Sequence, residues 1–505
     1  MQLIYKIGIF FVILAVILEL LFRELVPPKF ETYAEILPNN KILIDKKLLE
    51  NVRYPRLVEA LLWIIGNGEF ANWLFPMNLE NLVEAARYRS NLPPDAPFWY
   101  DLDAGEKLSG PPNLLSSYEN TYWLKNLRVL LKSIQEEARP HLSALGIIAF
   151  RDTLIEALRV QLTIVNLIRK HPEILREKIV KPIIISGPPR TMTTHIQSIL
   201  AQHPDALYLK FADARDPVQP EGVDSKTIYT SADPRSKLIN FAVFTVNYLR
   251  PFLYYMFRFD QDNPSETSQE DIFLTTFVFG SPVFETQGYM PTYSNMWHSQ
   301  NNTSAFRFLK ICHKLLQWQR NQRSIPLQLQ KEREKRWIMK TPEYVGFLND
   351  VYQVYPDAFL VLTHRDPVAV VASFIPMVTY IGGFWNNRVD ASKFGEYQLR
   401  ALEARFNHLV EQINVVPNDQ ILHVPFHKYV NDNLALAIEI CKVTGLSTGE
   451  DALLPMKIYI KNNPREGANR FEYNVTSLGA NFTHEILKKR FQKYSEAFSD
   501  YISKS

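Results

Sequence analysis

The segment Gly187–Thr194 constrains the fold of this chain more than any other. It reads Gly-Pro-Pro-Arg-Thr-Met-Thr-Thr, follows the apolar run Ile183–Ile185 and precedes an apolar-periodic stretch, His195–Leu200. This order predicts a buried strand, a tight turn and a helix start, where backbone N–H groups bind anions. Arg190 adds a fork of donors that suits phosphate or sulfate oxygens. The Gly-Lys-Ser/Thr ending of nucleotide triphosphatase loops is missing, and an ordinary strand-to-helix turn is the alternative.

Length and composition predict a globular protein with a large core. The chain has 505 residues, of which 46% are hydrophobic and 22% are charged, so more than one domain is expected. The net charge of +3 gives the chain no general affinity for polyanions, and no nucleic-acid partner is predicted. The two cysteines, Cys312 and Cys441, exclude a disulfide framework and a cysteine metal cluster, and both are expected in the core.

The amino terminus predicts a membrane anchor. The stretch Ile7–Phe22 is apolar apart from Glu19, and no Ala-x-Ala cleavage site follows it. We therefore expect a single-pass membrane protein that is held by residues 1–26. A removed signal peptide and a buried helix are the alternatives. Lys6 on one side and Arg23 on the other leave the orientation in the membrane open.

Residues 27–180 predict a mostly helical N-terminal region. Apolar residues recur at spacings of three and four over Leu154–Ile168, which is typical of a helix that faces a core. The stretches Pro55–Ile65 and Tyr122–Ala138 have similar patterns. From Lys181 onward, short apolar strands alternate with helices, and this alternation predicts a parallel sheet.

The second part of the chain, residues 181–505, predicts an α/β domain. Its predicted strands are Ile183–Ser186, Trp337–Met339, Phe359–Thr363 and Gln420–Val424. An insertion at about 213–330 is rich in aromatic residues, which would either wall a pocket for an apolar or ring-shaped substrate or pack in the core. These aromatic residues are Phe252, Tyr254, Tyr255, Phe257, Phe259, Tyr289, Tyr293 and Trp297.

Two further strand ends carry cations. Arg365 ends the third predicted strand and precedes a helix that contains Ser373, so both side chains would reach one phosphate. Lys340 ends the second predicted strand. Because the carboxyl ends of parallel strands gather at one edge of a sheet, Arg190, Lys340 and Arg365 should converge on a ligand with at least two anionic groups. A structural ion pair between Arg365 and Asp366 is the alternative.

Taken together, these motifs resemble those of the sulfotransferases that use 3′-phosphoadenosine 5′-phosphosulfate (PAPS). The resemblance rests on the loop 187–194, on Lys-Thr-Pro at 340–342 and on Arg-Asp-Pro at 365–367 with a serine eight residues after the arginine. It covers roughly Leu154–Phe498 and is closest to the branch that contains many bacterial sulfotransferases, with a more distant likeness to tyrosylprotein sulfotransferases. It implies an α/β, P-loop-like three-layer fold with a central parallel sheet.

The resemblance also implies a role for each site residue. The loop would hold the 5′-phosphosulfate of PAPS, Arg365 and Ser373 would hold its 3′-phosphate, and Lys340 would act as a catalytic residue near the bridging oxygen. Such a set suits an in-line sulfuryl transfer without a metal, because cations stabilise the charge that grows on the leaving phosphate. The residues implied to bind PAPS are Gly187, Arg190, Thr191, Thr193, Thr194, Arg365, Ser373, Arg465 and Gly467.

The chain departs from the family pattern at two positions. Met192 stands where the family loop usually has glycine, and it strains the loop if that position needs a positive φ. Pro342 stands where soluble sulfotransferases often have a histidine base. In the nearer branch an acidic residue commonly serves, and its equivalent is Asp213, which would take the acceptor's proton or else act as a helix cap or loop residue. Other candidates for the base are Glu270, Asp271, Glu285 and His298.

We therefore predict a membrane-anchored sulfotransferase that moves a sulfuryl group from PAPS to a hydroxyl of a lipid, sterol-like or carbohydrate acceptor. Two other functions stay open. Met192 and the missing histidine favour a catalytically impaired nucleotide-binding membrane protein. A P-loop kinase-like phosphotransferase would need Mg²⁺ and a loop lysine that the sequence lacks. The sequence leaves the oligomeric state and the side of the membrane open.

Overall fold

A five-stranded parallel sheet of order β3-β4-β2-β5-β6 lies at the centre of the fold. The computed structural model describes residues 35, 37–39, 41–50, 75–99, 118–223, 226–249, 264–323, 335–387, 389–463 and 471–502. The strands are β1 (Ile42–Ile44), β2 (Ile183–Ser186), β3 (Ala206–Tyr208), β4 (Arg336–Lys340), β5 (Phe359–His364), β6 (Ile421–Pro425) and β7 (Phe471–Tyr473). The four predicted strands are confirmed as β2, β4, β5 and β6, to within one residue at each end.

The helices surround this sheet. They are α1 (Lys46–Glu50), α2 (Leu79–Ser90), α3 (Tyr122–Ser133), α4 (Ala144–Lys170), α5 (Thr193–Leu200), α6 (Phe211–Arg215), α7 (Pro234–Leu249), α8 (Ile272–Thr275), α9 (Pro291–Ser299), α10 (Thr303–Arg323), α11 (Leu348–Val354), α12 (Pro367–Trp385), α13 (Ala391–Gln412), α14 (Phe426–Tyr429), α15 (Asn433–Thr444), α16 (Glu450–Asn462), α17 (His484–Arg490) and α18 (Gln492–Ala497). The predicted helix over 122–138 is α3 followed by a π-helical turn, Ile134–Ala138.

Both faces of the sheet are covered, so the fold has three layers. In β2, Ile184 belongs to a large core formed with the long helices, whereas Ile183 and Ile185 belong to a second core that contains residues of α5, α15 and α16. Successive strand residues point to opposite faces. A strand that is buried on both faces therefore needs the unbroken apolar run that the sequence shows.

The N-terminal helices pack on the large core. The longest of them, α4, begins after Ser143, whose side chain accepts a hydrogen bond from the N–H of Gly146 as an N-cap. Its predicted apolar stripe is buried, with Leu154, Leu158 and Leu162 each 0% exposed. The same core also contains side chains of the N-terminal α1 and of the C-terminal α17 and α18, so both ends of the described chain are packed together.

A two-stranded parallel sheet joins β1 to β7, and the sequence analysis did not predict it. Ile42, Leu43 and Ile44 pair with Phe471, Glu472 and Tyr473. Each strand has three residues, which is too short to show an alternating pattern in the sequence. The pairing places β7 beside the N-terminal region, although the two strands are far apart in the sequence.

The predicted membrane anchor, residues 1–26, and the predicted helix at Pro55–Ile65 lie outside the described residues and stay predictions. Within the described ranges, one helix, α12, has the length and apolar composition needed to span a membrane. This helix is largely buried among the other helices of the fold. Core helices of many proteins have the same composition, so α12 carries no argument for a membrane span.

Candidate active site

The loop between β2 and α5 has the backbone geometry of an anion site. Gly187 has a φ of +143°, and a Cβ at this position would lie 2.2 Å from Thr363 Oγ1 on β5. Only glycine therefore lets the loop pass this close to the neighbouring strand. Met192 precedes α5 and makes no side-chain cap. The first N–H groups of a helix have no partner within the helix, so the start of α5 offers donors to a ligand.

Met192 has a φ of 71° and a ψ of 8°, which is the left-handed conformation that favours glycine. The sequence analysis made strain at this position conditional on a positive φ, and that condition is met. The methionine side chain packs against the second core. This contact offsets part of the steric cost, so the loop forms with methionine in the place of the usual glycine.

The three threonines of the loop have different surroundings. The Thr191 hydroxyl is buried, donates to the carbonyl of Pro188 at 2.6 Å and lies 2.6 Å from Thr363 Oγ1. It therefore ties the loop to β5. Thr193 is also buried, at 4% exposure, whereas Thr194 is exposed and accepts a hydrogen bond from Lys340. Among the three predicted hydroxyl ligands, Thr194 is the one at the open side of the loop.

Three of the predicted anion-binding residues meet in one cluster. Arg190 Nε donates to Ser373 Oγ at 3.0 Å, and an Arg365 guanidinium nitrogen donates to the carbonyl of Arg190 at 2.7 Å. The Arg365 guanidinium also lies 4.3 Å from the ring centre of Phe426. The Asp366 carboxylate caps α12, accepting from the N–H groups of residues 368 and 369. The loop and the start of α12 therefore lie side by side.

Tyr473 also lies at this cluster, beside Ser373 and Arg190, and it was not predicted from the sequence. Burial raises the pKa of Tyr473, and the nearby Arg190 and Ser373 offset only part of that rise. Tyr473 reaches the site because β7 pairs with β1. No local motif marks it, since the pairing depends on two segments that are distant in the sequence.

Lys340 joins the loop to the insertion. It is 1% exposed at the end of β4, and its Nζ lies 3.1 Å from Thr194 Oγ1 and 2.6 Å from Glu270 Oε1. The predicted catalytic lysine is thus at the same edge of the sheet as the predicted anion loop. A buried ammonium group between a carboxylate and an open anion site can turn toward an incoming phosphate without a large movement.

Glu270 is held against β4 by the residue that follows it. Asp271 accepts a hydrogen bond from the N–H of Lys340 at 2.5 Å, and its own N–H donates to the carbonyl of Lys340 at 3.1 Å. The other Asp271 oxygen lies 2.8 Å from His313 Nε2. This clamp fixes Glu270, whose side chain is 29% exposed, beside the lysine. A partly exposed carboxylate at this place could take a proton from an acceptor hydroxyl.

Asp213, the predicted base, has a different environment. It is 0% exposed, and its oxygens accept from Arg235 at 3.1 Å, from Arg320 at 3.2 Å and from the Tyr229 hydroxyl at 2.8 Å. Burial alone would lower the pKa of Arg235, but Asp213 and Asp233 hold it above its ordinary value. These contacts are those of a buried ion-pair centre, so the catalytic role of Asp213 stays a prediction that its surroundings do not favour.

The remaining predicted candidates fall into three groups. Arg465 and Gly467 lie outside the described residues, as do the aromatic residues at 252–259. Glu285 and His298 form a buried contact of 2.9 Å. In the insertion, Tyr293 and Trp297 are fully buried packing residues.

Residues 182–450, just over half of the chain, match the sulfotransferase family. Comparison with curated protein sequences gave no significant match.

The solved structures that resemble this fold include two mycobacterial sulfotransferases. The sulfotransferase STF1 from Mycobacterium tuberculosis has a TM-score of 0.64 at 21% identity, covering 83% of this chain and 99% of its own. The sulfotransferase STF9 from Mycobacterium avium has a TM-score of 0.64 at 19% identity, covering 83% of this chain and 96% of its own. The predicted α/β fold with a central parallel sheet is confirmed, and the chain belongs to the sulfotransferase family.

Proposed function

We propose that this sulfotransferase moves a sulfuryl group from PAPS to a hydroxyl of a lipid, sterol-like or carbohydrate acceptor. The observation that carries the proposal is the cluster of Arg190, Arg365 and Ser373 beside the Lys340–Thr194 pair. These groups supply cations and donors for the two phosphate-bearing ends of one adenosine nucleotide. Three cations on adjacent strand ends have no comparable use in a protein that binds an uncharged ligand.

The site has donors for both ends of such a nucleotide. The 5′ end would lie against the N–H groups at the start of α5, and the 3′-phosphate would lie between Arg365, Ser373 and Tyr473. The nucleotide supplies an activated sulfuryl group. Lys340 would then move part of its hydrogen bonding from Glu270 to the leaving phosphate, where its charge stabilises the transition state.

We propose Glu270 as the general base in place of Asp213. Glu270 lies 2.6 Å from the catalytic lysine and is partly open, whereas Asp213 is enclosed by two guanidinium groups. A base must come within hydrogen-bond reach of the acceptor hydroxyl, and an enclosed carboxylate does not offer that access.

An apolar acceptor is favoured by the surface next to Glu270. Phe273 is 37% exposed and follows the proposed base by three residues. An exposed ring at this place gives the acceptor an apolar contact. The predicted anchor at residues 1–26 would hold the enzyme at a membrane, where lipid and sterol-like acceptors are concentrated.

The proposal is tested by nucleotide binding and by label transfer. The desulfated product of PAPS, 3′-phosphoadenosine 5′-phosphate (PAP), should raise the unfolding temperature of the full-length protein, and ATP should not. Incubation with ³⁵S-labelled PAPS and lipid or glycan extracts should label an organic product. The variant Arg365→Ala should weaken PAP binding much more than binding of adenosine 5′-phosphosulfate, which has no 3′-phosphate.

Protection by ATP as strong as that by PAP would reject the proposed nucleotide. Binding of PAP without labelling of any acceptor would favour the alternative of an impaired nucleotide-binding protein. If Arg365→Ala weakens the binding of both nucleotides equally, the 3′-phosphate does not lie against Arg365.

A further inference from the structure

A second carboxylate lies behind the proposed base and has no part in the steps described above. The buried hydroxyl of Thr341 lies between the two groups, 3.2 Å from Glu270 Oε2 and 2.8 Å from Glu343 Oε2. The N–H of Glu343 also points at this hydroxyl, at 3.4 Å. A hydroxyl has one proton, so it donates to one carboxylate at a time and can accept from the other only when that one is protonated.

The position of Glu343 is fixed from its other side by Arg405. An Arg405 guanidinium nitrogen donates to Glu343 Oε1 at 2.6 Å. The stem of Arg405 lies over Gly346, where a Cβ would come within 3.1 Å of Arg405 Cγ. The second guanidinium nitrogen lies 3.6 Å from Glu285 Oε2. Arg405 is therefore shared between two carboxylates and neutralises only one of them.

The charged groups around the Thr341 hydroxyl leave room for one proton. Glu270, Glu343 and Glu285 face two permanent cations, Lys340 and Arg405, in one connected set of contacts. His298 lies at the far end of the set, 2.9 Å from Glu285. Glu270 and Glu343 lie on either side of one buried hydroxyl, where two like charges are unfavourable and a shared proton relieves their repulsion.

Burial raises the pKa of Glu343, and the nearby Glu270 raises it further, while Arg405 and the Thr341 hydroxyl offset only part of the rise. Glu343 therefore accepts a proton more readily than an ordinary glutamate. Its side chain is 14% exposed, which leaves a path for exchange with water.

We propose that Glu270 and Glu343 act as one proton-sharing pair, in which Glu343 stores the proton that Glu270 takes from the acceptor. This inference rests on the proposed function of the site. When the new S–O bond forms, the S–O bond to the phosphate of PAPS breaks and PAP is the leaving group. The acceptor's O–H bond breaks and its proton goes to Glu270. Thr341 takes this proton and passes its own hydroxyl proton to Glu343. Glu270 is then a carboxylate again, Glu343 is neutral, and its proton goes to water after the products leave.

The pair predicts proton uptake when PAP binds, and this can be measured without a known acceptor. PAP brings negative charge to Lys340, which weakens the lysine's contact with Glu270 and favours the protonated form of the pair. Calorimetry of PAP binding in buffers of different ionisation enthalpy, from mildly acidic to neutral pH, counts the protons taken up. We expect Glu343→Gln to remove the uptake that wild type shows, and the exposed variant Glu450→Gln to keep it. Any proton exchange by PAP itself is the same for wild type and for both variants, so it cancels when the three proteins are compared.

An uncharged substitution provides a second test that does not alter the ion pairs. Thr341→Val removes the bridging hydroxyl, and Thr341→Ser keeps it. We expect Thr341→Val to slow ³⁵S transfer to whichever acceptor wild type labels, and Thr341→Ser to restore most of the rate, with PAP affinity similar in both.

The outcomes separate the two proposals. Failure of wild type to bind PAP would reject the proposed function itself. Binding of PAP without proton uptake, or uptake that Glu343→Gln leaves unchanged, would overturn the proton-sharing pair alone. Equal transfer rates in Thr341→Val and Thr341→Ser would overturn the passage of the proton through Thr341.

Discussion

Glu270 and Asp213 carry the same functional group in opposite environments. Glu270 is 29% exposed and lies beside the cation Lys340, which the substrate would draw away. Asp213 is fully buried, with Arg235 and Arg320 on its two oxygens. Removing one partner of a buried ion pair leaves uncompensated charge, and Asp213 has two buried guanidinium partners, whereas Glu270 has one ammonium partner that also contacts Thr194. The two side chains should therefore respond to neutral substitution in different ways.

We expect Glu270→Gln to lower turnover by about 10²–10⁴-fold, the usual contribution of a general base, with a smaller loss of stability than Asp213→Asn, because the glutamine oxygen can still accept from Lys340. Asp213→Asn should instead destabilise the fold by about 3–5 kcal/mol, because the two arginines lose their shared carboxylate. Label transfer from ³⁵S-PAPS and thermal unfolding measure the two effects. A stable Asp213→Asn protein without turnover would return the role of base to Asp213.

At the scale of elements, the strand–loop–helix unit β2–α5 depends on two backbone conformations. Gly187 allows the close approach to Thr363, and Met192 begins the helix in the left-handed conformation. The steric cost of this conformation for a residue with a Cβ is about 1–2 kcal/mol. Part of the stability of this unit is thus lost at Met192.

The variants Met192→Gly and Met192→Ala separate this cost from the loss of side-chain packing. Both remove the methionine's contact with the second core, but only glycine relieves the backbone. We expect the free energy of unfolding to be about 0.5–1 kcal/mol higher for Met192→Gly than for Met192→Ala, after the greater unfolded-chain entropy of glycine is included. Denaturant unfolding measures the difference. A value of zero or of opposite sign would show that position 192 does not need a positive φ.

At the scale of the whole molecule, the C-terminal helical segment packs against side chains of β5 and β6. β6 is an edge strand and pairs with β5. Tyr494 stacks on His364 of β5, and Tyr501 stacks on His423 of β6. His364 lies 2.8 Å from His423 and 3.1 Å from the Tyr494 hydroxyl.

The packing around His364 makes stability depend on pH. Burial lowers the pKa of His364 well below its ordinary value, and the neighbouring His423 lowers it further. The unfolded chain binds this proton at about pH 6.5, and the folded protein does not. The contribution of His364 to the free energy of unfolding is therefore fully present above about pH 6.5. It falls as the pH decreases toward the folded pKa, by up to about 1.4 kcal/mol per pH unit for one histidine.

We expect the unfolding temperature of wild type to fall below about pH 6.5 and that of His364→Gln to fall less steeply. The exposed His484 offers a control, since His484→Gln should keep the wild-type slope. Thermal unfolding across a pH series measures all three proteins. A parallel fall of wild type and His364→Gln would show that His364 does not control the acid response.

The local elements of this fold could be predicted from the sequence. Four short apolar runs became β2, β4, β5 and β6. The residues that end or follow these strands lie at one edge of the sheet, because the carboxyl ends of parallel strands gather there. They include Arg190, Lys340 and Arg365. Short strands such as β3, β1 and β7 escaped prediction, since three residues carry too little pattern.

The sequence by itself determined the four strands β2, β4, β5 and β6, helices such as α4, and the cations that reach the sheet edge, because these follow from patterns a few residues long. Only the tertiary structure decided which carboxylate is enclosed by arginines, which threonine faces the open side of the loop, and that Tyr473 and Glu343 join the site. Burial and charge pairing depend on segments that are distant in the sequence, and their contacts exist only after the chain has packed.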